Sequence, residues 1–215
     1  MSNFRNYSPL DHVIMGFEAI ITSSRTPKNA DLRPNPAKSI TPDALSEAEK
    51  AKSAALMRVN HAGEVSAQAL YQGQAMTART PMVRETLLCS AREEVDHLTW
   101  CQERVTELGS HTSYLEPAWY CGSFSIGVIA GVMGDDWNLG FVAETERQVV
   151  RHLDTHLGRL PQSDHKSRVI LEQMRKDEGH HASVAIEQGA RELPVPVKKL
   201  MTFCSRIMTG TAYYI

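Results

Sequence analysis

Four long stretches of this chain carry apolar residues at helical spacing, and in each a glutamate stands on the apolar stripe. The stripes read Met57, Glu64, Ala67 and Tyr71 in the first, then Leu87, Ala91, Glu94, Leu98 and Cys101 in the second. The third reads Leu139, Val142, Glu146, Val150 and Leu153, and the fourth Leu171, Met174, Glu178, His181 and Ala185. Stripes of this kind face a core. A lone buried carboxylate is costly and is normally paired or bound to metal. No Lys or Arg falls on these stripes, so a buried salt bridge has no partner within them.

Histidine completes the pattern. Glu94-Val-Asp-His97 and Glu178-Gly-His-His181 are Glu-x-x-His pairs, and residues three apart share a helix face. Either pair alone is a weak sign, because a chain rich in Glu and His offers that spacing by chance. Their place on the stripes sharpens it. The inward residues run Glu64, then Glu94 and His97, then Glu146, then Glu178 and His181, and the two halves match in spacing as a duplicated helix hairpin would. One Glu from each of two helices and a Glu-x-x-His from each of two others is the ligand set of ferritin-like di-iron and di-manganese carboxylate proteins. Carboxylates and imidazoles suit iron or manganese better than soft metals, and four negative charges match two divalent ions. Glu144 competes with Glu146 for the third position, but Glu146 fits the stripe.

The remaining segments are read around these helices. Leu10, Val13, Ile14, Phe17, Ile20 and Ile21 predict a short amphipathic helix, and the Pro-, Asn- and Ser-rich run after it a linker. Thr41-Pro42-Asp43 is a helix start. The first long helix is expected over Leu45–Thr80, with Pro81 opening a second that reaches Gly109. A loop with Pro117 runs from Gly109 to Gly122, and a third helical region from Ser123 to Leu160, with a break near Gly134-Asp135. Ser163 or Asp164 caps a fourth to about Glu192, and a last amphipathic helix carries Val197, Leu200, Met201, Cys204, Ile207 and Met208 on one face. No stretch shows sustained strand alternation. The expected fold is all-α, a ferritin-like four-helix bundle with additional short amphipathic N- and C-terminal helices. Residues 1–44 form the N-terminal helix and linker, and 45–215 the catalytic domain.

Composition narrows the function classes. A formal net charge of −2 gives no basic excess for nucleic acid. No G-x-G-x-x-G follows a strand, which argues against a nicotinamide or flavin domain. Cys89, Cys101, Cys121 and Cys204 form no C-x-x-C pair and are expected to be reduced, buried thiols of a cytoplasmic protein. Asp11 and Glu18 interrupt the apolar N-terminal stretch, so it does not read as a signal peptide. The nearest approach to a membrane span, Ala118–Met133, ends at Asp135-Asp136.

Longer strings carry a resemblance. Arg58-Val-Asn-His-Ala-Gly-Glu64, Glu93-Glu-Val-Asp-His97, Glu146 with His152 six residues on, and Asp177-Glu-Gly-His-His181 together resemble the demethoxyubiquinone hydroxylases, di-iron monooxygenases of ubiquinone biosynthesis. The resemblance covers about Leu45–Met208. It implies two iron ions per chain, with Glu64, Glu94 and His97 on one, Glu146, Glu178 and His181 on the other, and Glu94 and Glu178 bridging. His152 is either a hydrogen-bond partner behind the ligands or a surface histidine. The implied reaction inserts one atom of O2 into the ring of a polyprenylated methoxy-benzoquinol and releases the other as water.

Such a substrate lies in a bilayer, so the resemblance further implies a peripheral protein on the cytoplasmic side of the cell membrane. Trp119, Tyr120, Phe124, Ile126, Val128 and Ile129, and the last helix with Lys198, Lys199 and Arg206, are candidates for the docking face; packing on the core or on a second subunit is the alternative. Other ubiquinone-biosynthesis proteins and a second copy of the chain are the further partners considered. Two rival functions stand beside this one: another ferritin-like oxidase, such as a ferroxidase or peroxidase, and a non-catalytic helical scaffold.

Overall fold

The computed structural model describes residues 32–42 and 44–215. The amphipathic helix expected over Leu10–Ile21 lies outside the described residues. Among those described there are six helices and no strand: α1 Glu47–Thr77, α2 Pro81–Glu107, α3 Glu116–Val132, α4 Asp135–Arg159, α5 His165–Glu187 and α6 Val195–Ala212.

Local chemistry sets the helix ends. Ser46, not Thr41, caps α1: its Oγ accepts from Glu49 N at 3.4 Å, and the Glu49 carboxylate accepts from Ser46 N at 2.9 Å. Thr80 caps α2 in front of Pro81, which needs no amide donor at the first turn. Asp164 caps α5 through Ser167 N at 2.9 Å. Gly189, at φ 99°, follows the end of α5, so that helix stops at Glu187 rather than near Glu192.

The third helical region differs from expectation. It begins at Glu116 rather than Ser123, because Pro117 occupies the first turn of α3 instead of lying in a loop, while the break expected near Gly134-Asp135 is present. Gly134 separates α3 from α4 with φ 116°, a value that β-carbon-bearing residues avoid. Asp135 then fastens this corner, accepting from the amides of Arg79 and Thr80 at 2.8 and 2.9 Å.

α1, α2, α4 and α5 form the bundle. Two apolar clusters fill it. One gathers Leu56, Met57, Trp100, Cys101, Leu153, Leu157, Leu171 and Met174, the other Ala67, Tyr71, Leu87, Ala91, Leu139, Val142 and Ala185. In every bundle helix the inward glutamate lies in sequence between its contributions to these clusters. A single polar layer therefore divides the core. Cys101 is buried, whereas Cys89, Cys121 and Cys204 are exposed, against the expectation of four buried thiols. Parts of the family string act as bundle ties. Buried Arg58 donates to the carbonyls of His111 (2.8 Å) and Tyr213 (3.2 Å), and Asn60 Oδ1 lies 3.0 Å from His156 Nδ1.

α3 packs outside the bundle on α1, and glycine makes that approach possible. A β-carbon at Gly127 would stand 2.2 Å from Leu70 O, and one at Gly73 2.3 Å from Phe124 O. Both obstacles are backbone. Gly127→Ala should therefore push α3 off α1 and cost about 1–3 kcal/mol, whereas Gly122→Ala, with nothing within 4 Å, should be neutral or stabilising by up to about 1 kcal/mol. Urea denaturation of both variants measures the difference.

His152 and His156 form a ring pair, with centroids 3.9 Å apart. Burial lowers their pKa values to about 4 and about 3, helped by Arg159 and, for His156, by His152. Both fall below the free-histidine value. As pH drops through about 6.5, the unfolded chain takes up protons that the folded chain refuses, so stability falls with acid. Between pH 6.5 and 5 the melting temperature of His156→Gln should decline less steeply than that of the unaltered chain.

Candidate metal centre

All four bundle helices deliver side chains to the polar layer. Glu64 comes from α1, Glu94 and His97 from α2, Glu146 from α4, and Glu178 and His181 from α5. Each of the six is buried, at 6 % exposure or less. The imidazoles face inward through Nδ1. His97 Nδ1 lies 3.1 Å from Glu94 Oε2, 3.1 Å from Glu178 Oε1 and 3.8 Å from Glu64 Oε2. His181 Nδ1 lies 3.2 Å from Glu178 Oε2, 3.6 Å from Glu94 Oε1 and 3.7 Å from Glu146 Oε1.

These atoms form two overlapping groups. Glu64, Glu94, His97 and Glu178 make one, and Glu94, Glu146, Glu178 and His181 the other; within each, the donor atoms lie within 4.8 Å of one another. Glu94 and Glu178 belong to both. Glu94 Oε1 and Glu178 Oε1 are also buried without a hydrogen-bond partner, although ring nitrogens stand near them. A buried carboxylate oxygen left bare is costly, and here both bare oxygens belong to the shared residues. The donor set and these orphan atoms fit a pair of divalent cations.

Without metal the layer limits its own charge by holding protons. Burial pushes Glu64 and Glu146 well above the usual carboxylate range, and neighbouring Glu178 adds to the rise in both. Burial opposes charge on His181, but hydrogen bonds to Glu146 and Glu178 and the charges of Glu146 and Glu94 raise it to about 12. His97 is likewise raised against burial, by Asp177, Glu178, Glu64 and Glu94. Burial would raise Glu178 too, yet the hydrogen bond from His181 and the nearby His97 imidazole hold it well below the ordinary value.

The outward nitrogens have partners that the spacing analysis did not single out. His97 Nε2 donates to Asp177 Oδ2 at 3.0 Å, and His181 Nε2 to Glu93 Oε2 at 2.7 Å. Each acid immediately precedes an inward glutamate and reaches the histidine of the opposite helix. That crosswise arrangement turns the Nδ1 lone pairs toward the centre. Tyr71, counted among core residues from its stripe, donates its hydroxyl to Glu146 Oε1. Glu144 is buried but turns away, pairing with Arg151 at 3.3 Å and Lys198 at 3.7 Å. His152 is neither a surface residue nor bonded to the six. It stands on the wall of a cavity with its Nε2 buried and unpartnered.

That cavity, of about 390 Å³, lies between α1, α3, α4 and α6. Leu70, Trp119, Phe141, Val149 and Met208 make its walls largely apolar, exposed Ile126, Cys204 and Ile207 border it, and Glu64, Glu146 and Glu178 also line it.

Comparison with known proteins agrees with the motifs. The family model described as Ubiquinone biosynthesis protein COQ7 matches residues 51–212. Proteins named 3-demethoxyubiquinol 3-hydroxylase are similar along nearly their whole length. The Nitrosococcus oceani protein is 56% identical over 98% of this chain and 99% of its own. The Nitrosomonas europaea protein is 55% identical over 96% and 99%, and that of Stutzerimonas stutzeri 51% identical over the full length of both. The chain belongs to the COQ7 family of ubiquinone biosynthesis proteins.

Proposed function

We propose that this chain is a di-iron monooxygenase that hydroxylates the ring of a polyprenylated methoxy-benzoquinol with O2. One observation carries the reading: an apolar cavity with aromatic walls has three of the buried glutamates on its lining. A ferroxidase needs a polar path for hydrated ions, and this approach is apolar. The names of the relatives support the same substrate class.

Glu64, Glu94, His97, Glu146, Glu178 and His181 would hold the two irons, which supply O2 activation when bound. The protein does the rest. Phe141, Val149 and Met208 exclude water and receive a flat ring. Asp177 and Glu93 keep the two imidazoles in the tautomer that binds metal. Tyr71 holds one oxygen of Glu146, which limits how that carboxylate can swing.

The cavity also indicates how a lipid substrate would enter. α3 and α6 flank it, and both expose apolar side chains: Ile126, Ile129 and Val132 on α3, with Met133 just past its end, and Val195, Leu200, Phe203 and Ile207 on α6. Lys199 and Arg206 are exposed on α6, whereas Lys198 is engaged by Glu192 and Glu144. Tyr120 is buried and donates to Gln72, so it serves packing rather than a docking tip. Among the described residues no helix is long and apolar enough to cross a membrane. We propose a peripheral protein on the cytoplasmic face of the cell membrane, a reading that the exposed apolar side chains of α3 and α6 support by offering an interface.

Anaerobic titration of the metal-free protein with ferrous iron should reach about two ions per chain. It should release protons at pH 7, since the raised pKa values of Glu64, Glu146, His97 and His181 keep protons on the empty layer. Glu178→Ala should lower the iron content and abolish hydroxylation. An unchanged rate in that variant would remove Glu178 from the centre.

Ile129→Ser combined with Phe203→Ser should weaken binding to anionic vesicles by at least about tenfold, because each side chain is worth about 1.5–3 kcal/mol when fully buried. Turnover of a long-tailed quinol should fall with it, while a short-tailed soluble analogue should be spared. Equal loss on both substrates would indicate damage to the cavity instead.

A further inference from the structure

Near Arg33 the linker ahead of α1 lies against the polar layer. Arg33 donates from its backbone N to Asp96 Oδ1 at 3.1 Å and from Nε to Asp96 Oδ2 at 2.6 Å. Its Nη1 lies 3.0 Å from Asp177 Oδ2, and its Nη2 3.3 Å from His97 Nε2. The guanidinium rests over Trp100, 5.1 Å from the ring centroid, and the Trp100 indole donates to the Arg33 carbonyl at 3.3 Å. Further along the linker, Asn35 donates to Glu103 at 2.7 Å and Ala37 is buried in one apolar cluster. The segment is thereby fixed along α2.

Asp177 Oδ2 is the shared atom, in contact with Arg33 on one side and His97 Nε2 on the other. The other oxygen of Asp177 accepts from Gln173, on its own helix, at 2.9 Å. Without the guanidinium, Asp96 and Asp177 would stand near each other as like charges with no cation between them. Asp177 would then turn toward water and leave His97. The opposite half differs. Glu93, behind His181, is 43% exposed in its side chain, and no ion pair to a Lys or Arg is found for it among the described residues.

We propose that Arg33 is a positioning residue of the metal centre: by holding Asp177 on His97 Nε2, it fixes the tautomer and angle of that imidazole, so chain outside the four-helix bundle completes one of the two metal positions and only that one. Removing the partner behind a ligating histidine typically weakens metal binding ten- to a hundredfold. Here the loss falls on the position that uses His97. The position that uses His181 keeps its own acid.

The inference rests on the metal-site reading, and anaerobic cobalt(II) titration followed by the ligand-field spectrum tests both separately. The unaltered full-length chain should bind two cobalt ions. Arg33→Gln should weaken one step by about ten- to a hundredfold and leave the other, with its spectral band, unchanged. Arg33→Lys keeps the charge but cannot fork between two carboxylates, so it should weaken the same step by a smaller factor. Asp177→Asn should affect that step too, and adding Arg33→Gln to it should cost nothing more, because the arginine acts through the aspartate. Equal weakening of both steps, no weakening of either, or additive losses would overturn the role of Arg33. An unaltered chain that takes up no cobalt would overturn the metal site itself.

Discussion

Everything in this structure is arranged around four carboxylates buried in one layer. Such groups are expensive in a core: an ionised carboxylate in an apolar environment shifts its pKa or finds a cation. Both responses show here. Glu64 and Glu146 are pushed toward their neutral forms by burial, while Glu178 is held ionised by His97 and His181. Oxygens of Glu94 and Glu178 stay unpaired. The apolar clusters on either side let the bundle tolerate this layer by burying Leu, Met and aromatic side chains above and below it.

The layer was legible in the sequence because its residues break a strong pattern. A glutamate between Leu and Ala on a helical stripe is conspicuous, and the same break in four helices at matched spacing leaves few alternatives. Glu144 illustrates how the stripe decides: it too is buried, but on the side of the helix where Arg151 and Lys198 reach it. The acids behind the histidines were harder to assign. Glu93 and Asp177 stand next to the inward glutamates in the motifs, yet adjacency along a helix separates side chains by about 100°, and nothing local shows that they reach across to the opposite helix. Arg33 was further hidden, since a Pro- and Asn-rich linker reads as a connection.

The break between α3 and α4 was partly visible in Gly134-Asp135, but the start of α3 was not. Proline ends helices and also begins them; Pro117 does the second, and only the packing of α3 on α1 separates the cases. That packing depends on Gly73 and Gly127 in different helices, a match between distant positions that no local window contains. The same limit applies to the cysteines. Average burial favours hidden thiols, but Cys121 and Cys204 lie on the two helices that expose apolar surface.

The centre has two unlike faces. On the α2 and α5 side the imidazoles are fixed from behind by Asp177 and Glu93, so their geometry is rigid. On the α1 and α4 side the residues toward the apolar cavity are the carboxylates of Glu64 and Glu146, the second held by the Tyr71 hydroxyl. Attaching histidines to α2 and α5, and single glutamates to α1 and α4, places carboxylates beside the cavity and the imidazoles away from it. The exposed apolar faces of α3 and α6 stand on the same side, flanking the cavity that reaches Glu64, Glu146 and Glu178.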